Sequence, residues 1–151
     1  QEADHYFNAP DRDFAKTDEA LRIRSIGANN FLTYKGAKRD QTTKTRKEIE
    51  VSLGSGADAA NQFAELLKCL GYKPVAIVRK ERRKFRWQHN GFDVEATLDE
   101  VDKVGSFVEL EIVGAEEVYE RARDTLFELA REFGLGESER RSYLEMYLHG
   151  A

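Results

Sequence analysis

The feature that most constrains this chain is the polar face of its strand-like segments, which is almost wholly ionic and sorted by sign. Period-two alternation marks half-buried strands. Residues 20–27 set Leu21 and Ile23 against Arg22 and Arg24. Residues 31–38 put Phe31, Thr33 and Lys35 on one face, and residues 45–53 set Ile49, Val51 and Leu53 against Arg46, Glu48 and Glu50. Strands are expected again over 74–88, 92–101 and 106–113. The first of these lines up Lys80, Arg82, Lys84 and Arg86, the second carries Glu95 and Asp99, and the third pairs Glu109 with Glu111.

Like charges side by side repel. At a spacing of about 4 Å the cost per pair is roughly 1 kcal/mol in water and about 4 kcal/mol at an effective dielectric of 20. A solvated sheet face tolerates this through salt screening. A sheet that closes with the ionic faces inward instead needs a polyanion for its Arg and Lys side chains and a divalent cation for its carboxylates. A triphosphate with Mg²⁺ or Mn²⁺ meets both needs. The opposite faces (Leu21/Ile23, Ile49/Val51, Val108/Leu110/Ile112) are apolar on almost every strand and must be covered. Helical stretches are available for this. Phe63, Leu66, Leu67 and Leu70 follow helical spacing up to Gly71, and Tyr119, Ala122, Leu126, Leu129, Ala130 and Phe133 form a second stripe ended by Gly134. Ser138 reads as the N-cap of a last helix over 138–148 carrying Leu144, Tyr147 and Leu148. The expected fold is α+β: a closed antiparallel β-barrel with helices 56–70, 116–133 and 138–148 packed on its outside.

Composition narrows the functional classes. A length of 151 residues fits a single domain, expected over 1–151. The net charge of −4 argues against a chain built to coat nucleic acid or an anionic membrane, although residues 79–86 with Phe85 and Trp87 superficially resemble a nucleic-acid stripe. No apolar run approaches membrane-spanning length. The single cysteine, Cys69, cannot form an internal disulfide, which suits a cytoplasmic location, and it reads as a small packed residue. His5, His89 and His149 show no metal-ligand spacing to one another or to Cys69. Gly54-Ser55-Gly56-Ala57 lacks the Lys-Ser/Thr ending of a phosphate-binding loop and reads as a strand-to-helix turn. Tyr6 and Phe7 read as core or barrel-end aromatics, with base stacking the functional alternative.

Seven short segments then stand in a recognisable order: Gln1-x-x-Asp4-x-Tyr6-Phe7, Ala20-Leu21-Arg22-Ile23-Arg24, Leu32-Thr33-Tyr34-Lys35-Gly36, Thr45-Arg46-Lys47-Glu48-Ile49-Glu50, Val78-Arg79-Lys80-Glu81-Arg82, Leu98-Asp99-Glu100-Val101 and Gly105-Ser106-Phe107-Val108-Glu109-Leu110-Glu111. Together they resemble the class IV adenylyl cyclases of the CYTH family, the triphosphate tunnel metalloenzymes. The resemblance implies an eight-stranded tunnel in which Arg22, Arg24, Lys35, Lys80 and Arg82 are catalytic and clamp phosphate oxygens, with Arg46 joining them in substrate binding. It implies that Asp99, Glu109 and Glu111 hold or orient the metal, Mg²⁺ or Mn²⁺, and that Glu48 also faces the lumen. The implied reaction turns ATP into 3′,5′-cyclic AMP and pyrophosphate. The alternatives are a triphosphatase acting on thiamine triphosphate, tripolyphosphate or nucleotides, and a non-catalytic polyphosphate or nucleotide binder. Relatives of this class suggest a homodimer. The family's first strand carries Glu-x-Glu-x-Lys. No such triplet precedes Gln1, and Glu109-Leu110-Glu111 is followed by Val113 where that motif has Lys, so the domain is expected to lack its first strand and helix.

Overall fold

The computed structural model describes residues 1–39, 45–114 and 116–150. The alternating segments form β1 (Glu2–Asn8), β2 (Ala20–Ile26), β3 (Asn29–Lys35), β4 (Glu48–Leu53), β5 (Lys73–His89), β6 (Phe92–Val101) and β7 (Gly105–Ile112). The helices are α1 (Phe14–Thr17), α2 (Ala57–Cys69), α3 (Tyr119–Glu132, preceded by a 3₁₀ turn, Glu116–Val118) and α4 (Tyr143–His149). No described helix is long and apolar enough to cross a membrane.

All seven strands belong to one antiparallel sheet in the order β4-β3-β2-β1-β5-β6-β7. The α+β class is therefore as expected. The expected closure is not seen: β4 and β7 are the ends of the sheet, and no pairing joins them among the described residues. Short hairpins join neighbouring strands in both halves. The β5–β6 turn places Asn90 at φ 50° and Gly91 at φ 81°, the left-handed pair that a two-residue hairpin turn requires. A single long connection, through α2, carries the chain from β4 to β5, on the far side of β1.

Register fixes which residues share a face. Asp4 stands opposite Arg24, and Tyr6 opposite Arg22. Glu2 stands opposite Lys80. Arg82 stands opposite Asp99, and Thr97 opposite Glu109. Thr33 stands opposite Glu50, and Lys35 opposite Glu48. These paired ionic side chains therefore share one face of the sheet, while Arg79, Glu81, Arg83 and Glu100 stand on the other.

The other face is apolar and partly covered. α2 lays Ala64 and Leu67 on Phe7, Leu21 and Ile23, and α3 lays Ala122 and Leu129 on Phe92 and Val94. Leu66 and Leu70, expected in the buried stripe of α2, are more than half exposed, because the helix turns the Ala60–Ala64–Leu67 edge toward the sheet. Cys69, expected to be packed, is exposed for the same reason.

The last helix departs furthest from expectation. Its N-cap is Ser142 rather than Ser138, locked by a capping box with Glu145, so it starts at Tyr143. It also does not cover the apolar face. Tyr143 and Met146 pack on Tyr6, Val78 and Val101, which share the ionic face with Asp4, Lys80 and Asp99. α4 thus lies across one end of that face.

Candidate active site

β1 brings Glu2 and Asp4 between two walls of cations. Asp4 Oδ1 accepts a hydrogen bond from Arg24 Nε at 2.7 Å. Its Oδ2 accepts from Lys80 Nζ at 2.7 Å, Arg24 Nη2 at 2.8 Å and Arg22 Nη1 at 3.2 Å. Glu2 Oε2 lies 3.0 Å from Lys80 Nζ and 3.5 Å from Arg24 Nε, off the hydrogen-bonding directions. The side chains of Asp4 and Lys80 are 1% and 0% exposed, so solvent screens this cluster poorly.

Burial raises the Asp4 pKa, but the hydrogen bond from Arg24 and the charges of Arg22, Arg24 and Lys80 outweigh it and hold the carboxyl below its ordinary range. Burial is also the leading influence on Lys80, which is shifted down despite Asp4 and Glu2. Arg22 Nε is buried and has no hydrogen-bond acceptor among the described residues.

A second cluster lies beyond Lys80 on β5. Arg82 donates through Nε to Asp99 Oδ1 at 2.7 Å and through Nη2 to both Asp99 Oδ2 and, at 2.8 Å, Glu109 Oε2. Tyr143 Oη donates to Asp99 Oδ2 at 2.8 Å. Burial pushes the Asp99 pKa up, and the hydrogen bonds from Arg82 and Tyr143 with the charge of Arg82 bring it below the usual value. Farther along, Lys84 and Arg86 grip Glu95 at 2.8 and 2.6 Å. Glu111 stands opposite Glu95 and is exposed. Thr97, between Lys84 and Glu109 in register, has a buried hydroxyl with no partner among the described residues.

At the opposite side, Lys35 Nζ lies 2.9 Å from Glu48 Oε2. Burial, Arg22 and Arg46 depress its pKa, and Glu48 only partly offsets them. Arg46, just before β4, is close enough to act on Lys35, Glu48 and Asp18.

The structure therefore gathers Arg22, Arg24 and Lys80 around one carboxylate, Asp4, and sets Arg82 between two others, Asp99 and Glu109. Lys35 and Arg46 stand toward β4, and Glu111 at the far end of β7. Arg79, on the same face of β5 as Ile77, lines a cavity with His5 and Asn61 on the apolar side, opposite to Arg82. Sequence reasoning gave no role to Glu2 or Asp4, although the Glu2-x-Asp4-x-Tyr6 alternation was readable, and none to Tyr143.

The carboxylates have the hard oxygen donors that Mg²⁺ and Mn²⁺ prefer. No three Asp, Glu, His or Cys side chains form a ready cluster among the described residues. Mg²⁺ needs no such cage, because it is commonly held by one or two carboxylates together with substrate phosphates and water. Glu109 and Glu111, two apart on the same strand face, fit that requirement. Both Asp99 oxygens already accept hydrogen bonds.

A sheet face that packs arginines and lysines against buried carboxylates sets this domain apart from an ordinary antiparallel sheet. The chain belongs to the CYTH domain family, whose model matches residues 1–143. A Methanocaldococcus jannaschii protein named "putative adenylate cyclase" is 38% identical over 147 residues, covering 95% of this chain and 79% of that protein. A solved Pyrococcus horikoshii structure superposes with a TM-score of 0.86 at 43% identity, over 99% of this chain and 84% of that one. The solved structure of a "putative adenylate cyclase" from Vibrio parahaemolyticus gives a TM-score of 0.74 at 25% identity, over 97% and 79% of the two chains.

Proposed function

We propose that this protein is an adenylyl cyclase of class IV type that converts ATP to 3′,5′-cyclic AMP and pyrophosphate on the ionic face of its sheet. The observation that carries the reading is the convergence of Arg22, Arg24 and Lys80 on the enclosed Asp4, with Arg22 Nε left without an acceptor. A buried guanidinium donor without a partner is costly, and a phosphate oxygen supplies the missing acceptor.

In this reading Arg22, Arg24, Lys80 and Arg82 hold the β- and γ-phosphates, while Lys35 and Arg46 approach from the β4 side. Asp4 and Asp99 keep these cations in fixed orientations before substrate arrives, so little reorganisation remains at the moment of reaction. Glu109 and Glu111 hold Mg²⁺ or Mn²⁺, which supplies charge neutralisation at the reacting phosphate when bound. The ribose 3′-hydroxyl oxygen attacks the α-phosphorus and gives up its proton to water, the bond from the α-phosphorus to the bridging β-phosphate oxygen breaks, and the basic residues stabilise the charge that develops on the departing pyrophosphate.

Incubation with ATP and Mn²⁺ tests the proposal. Stoichiometric cyclic AMP and pyrophosphate are expected. Orthophosphate as the sole product would replace the cyclase reading with a triphosphatase, and binding without turnover would remove the enzymatic reading altogether.

A further inference from the structure

The family match ends at Tyr143, the first residue of α4, so the remainder of that helix lies beyond it. Yet this residue reaches a carboxylate of the ionic face. Its hydroxyl is buried, and its bond to Asp99 spans 44 residues of sequence. The ring is held between Phe107, at 5.2 Å between centroids, and the Tyr6–Val78–Val101 cluster, where Met146 is 1% exposed. The capping box at Ser142 fixes the start of the helix directly before it. The position of the hydroxyl oxygen is therefore constrained by the packing of its ring.

Asp99 Oδ2 has two donors, Arg82 Nη2 and Tyr143 Oη, and Arg82 Nη2 is in turn shared with Glu109. A carboxylate that spends part of its negative charge on a neutral hydroxyl still orients the guanidinium but neutralises it less. Without that hydroxyl, Asp99 holds Arg82 more tightly and competes better against an incoming phosphate.

We propose that Tyr143 is a positioning residue that, through Asp99, keeps Arg82 oriented and available to a phosphate group. This rests on the reading of the ionic face as a triphosphate site and extends it to α4, making the last helix part of the binding machinery.

The test measures inorganic tripolyphosphate binding by calorimetry in the purified protein, with and without Mn²⁺. Tyr143→Phe keeps the ring and its packing, and should weaken binding about tenfold. Leu129→Ala, in the α3 cluster on the opposite face, loosens the fold without touching Asp99 and should change affinity less than twofold. In an Arg82→Gln background, adding Tyr143→Phe should cost little more, because the cation it serves is gone. Equal losses from Tyr143→Phe in both backgrounds, or a loss in Leu129→Ala as large as that in Tyr143→Phe, would overturn the inference. Wild-type protein that binds no tripolyphosphate would instead bring down the triphosphate reading on which it rests. Wild-type binding with an unaffected Tyr143→Phe variant would leave that reading standing and remove only the role of Tyr143.

Discussion

Lys80 on β5 and Asp4 on β1 meet with Nζ 2.7 Å from Oδ2, although 76 residues separate them and neither side chain has more than 1% exposure. Removing one partner of such a cluster leaves the others buried and uncompensated. Asp4→Ala strips the shared acceptor from Arg22, Arg24 and Lys80 together. We expect a loss of about 3–5 kcal/mol, read from the urea midpoint, and a smaller loss for Asp4→Asn, which retains an acceptor oxygen. A midpoint unchanged in Asp4→Ala would mean that the cluster is open to water.

The two arginines on β5 make a comparison within one strand. Arg82 joins Asp99 and Glu109 on the ionic face, whereas Arg79 lines the cavity on the other side with His5 and Asn61. Arg82→Ala should reduce turnover of the triphosphate on the order of a hundredfold or more, and Arg79→Ala less than threefold, since only a charge aimed at the developing phosphate charge lowers the barrier. Equal losses would place both side chains on the same functional surface.

Acid should unfold the protein through the same carboxylates. Glu2, Asp4 and Asp99 all have pKa values below their reference values of 4.5, 3.8 and 3.8. For each, burial works upward, and the cations that share the site more than offset it. A depressed native value means that the unfolded chain binds more protons across the interval between the two pKa values, so stability rises with pH there. The contribution is complete above about pH 5 and is lost as pH falls through the ordinary carboxylate range toward the native values. Urea titrations at successive pH values should show this decline, and a midpoint flat down to about pH 3 would contradict it.

Metal dependence should track β7. Glu111 is exposed beside Glu95 and two residues from Glu109. Glu111→Gln and Glu109→Gln should each raise the Mn²⁺ concentration needed for half-maximal turnover about tenfold or more, with a small effect on melting temperature, because loss of a metal ligand acts on binding more than on folding. An unchanged Mn²⁺ requirement in both variants would remove these carboxylates from the metal site.

Local patterning made the faces legible. The alternations at Arg22/Arg24, Lys80/Arg82/Lys84/Arg86 and Glu109/Glu111 place each side chain on the correct side of its strand, because the strand period is two whatever the partner. Pairing was harder to read. The contact between Asp4 and Lys80 depends on β5 docking against β1 after the α2 crossover, and nothing local to either segment encodes it. The stripe Leu144, Tyr147 and Leu148 announced an amphipathic last helix without saying which surface it meets. In the structure Tyr143 and Met146 are buried while Leu148 is 47% exposed, because the cluster at the end of the ionic face, not the apolar side, receives the helix. Helix spacing reports that a face is buried, whereas the identity of its host depends on tertiary packing.

β5 runs for 17 residues, and its partners divide at Lys80, which faces Glu2 on one flank and Val101 on the other. Below that residue the strand serves β1, and beyond it β6. The Asp4 constellation and the Asp99 constellation are thus mounted on a common beam, with a lysine at its fulcrum. Any tilt of one half of the sheet is carried along that beam into the other, so a phosphate chain long enough to touch both meets anchoring points whose separation is held by continuous backbone.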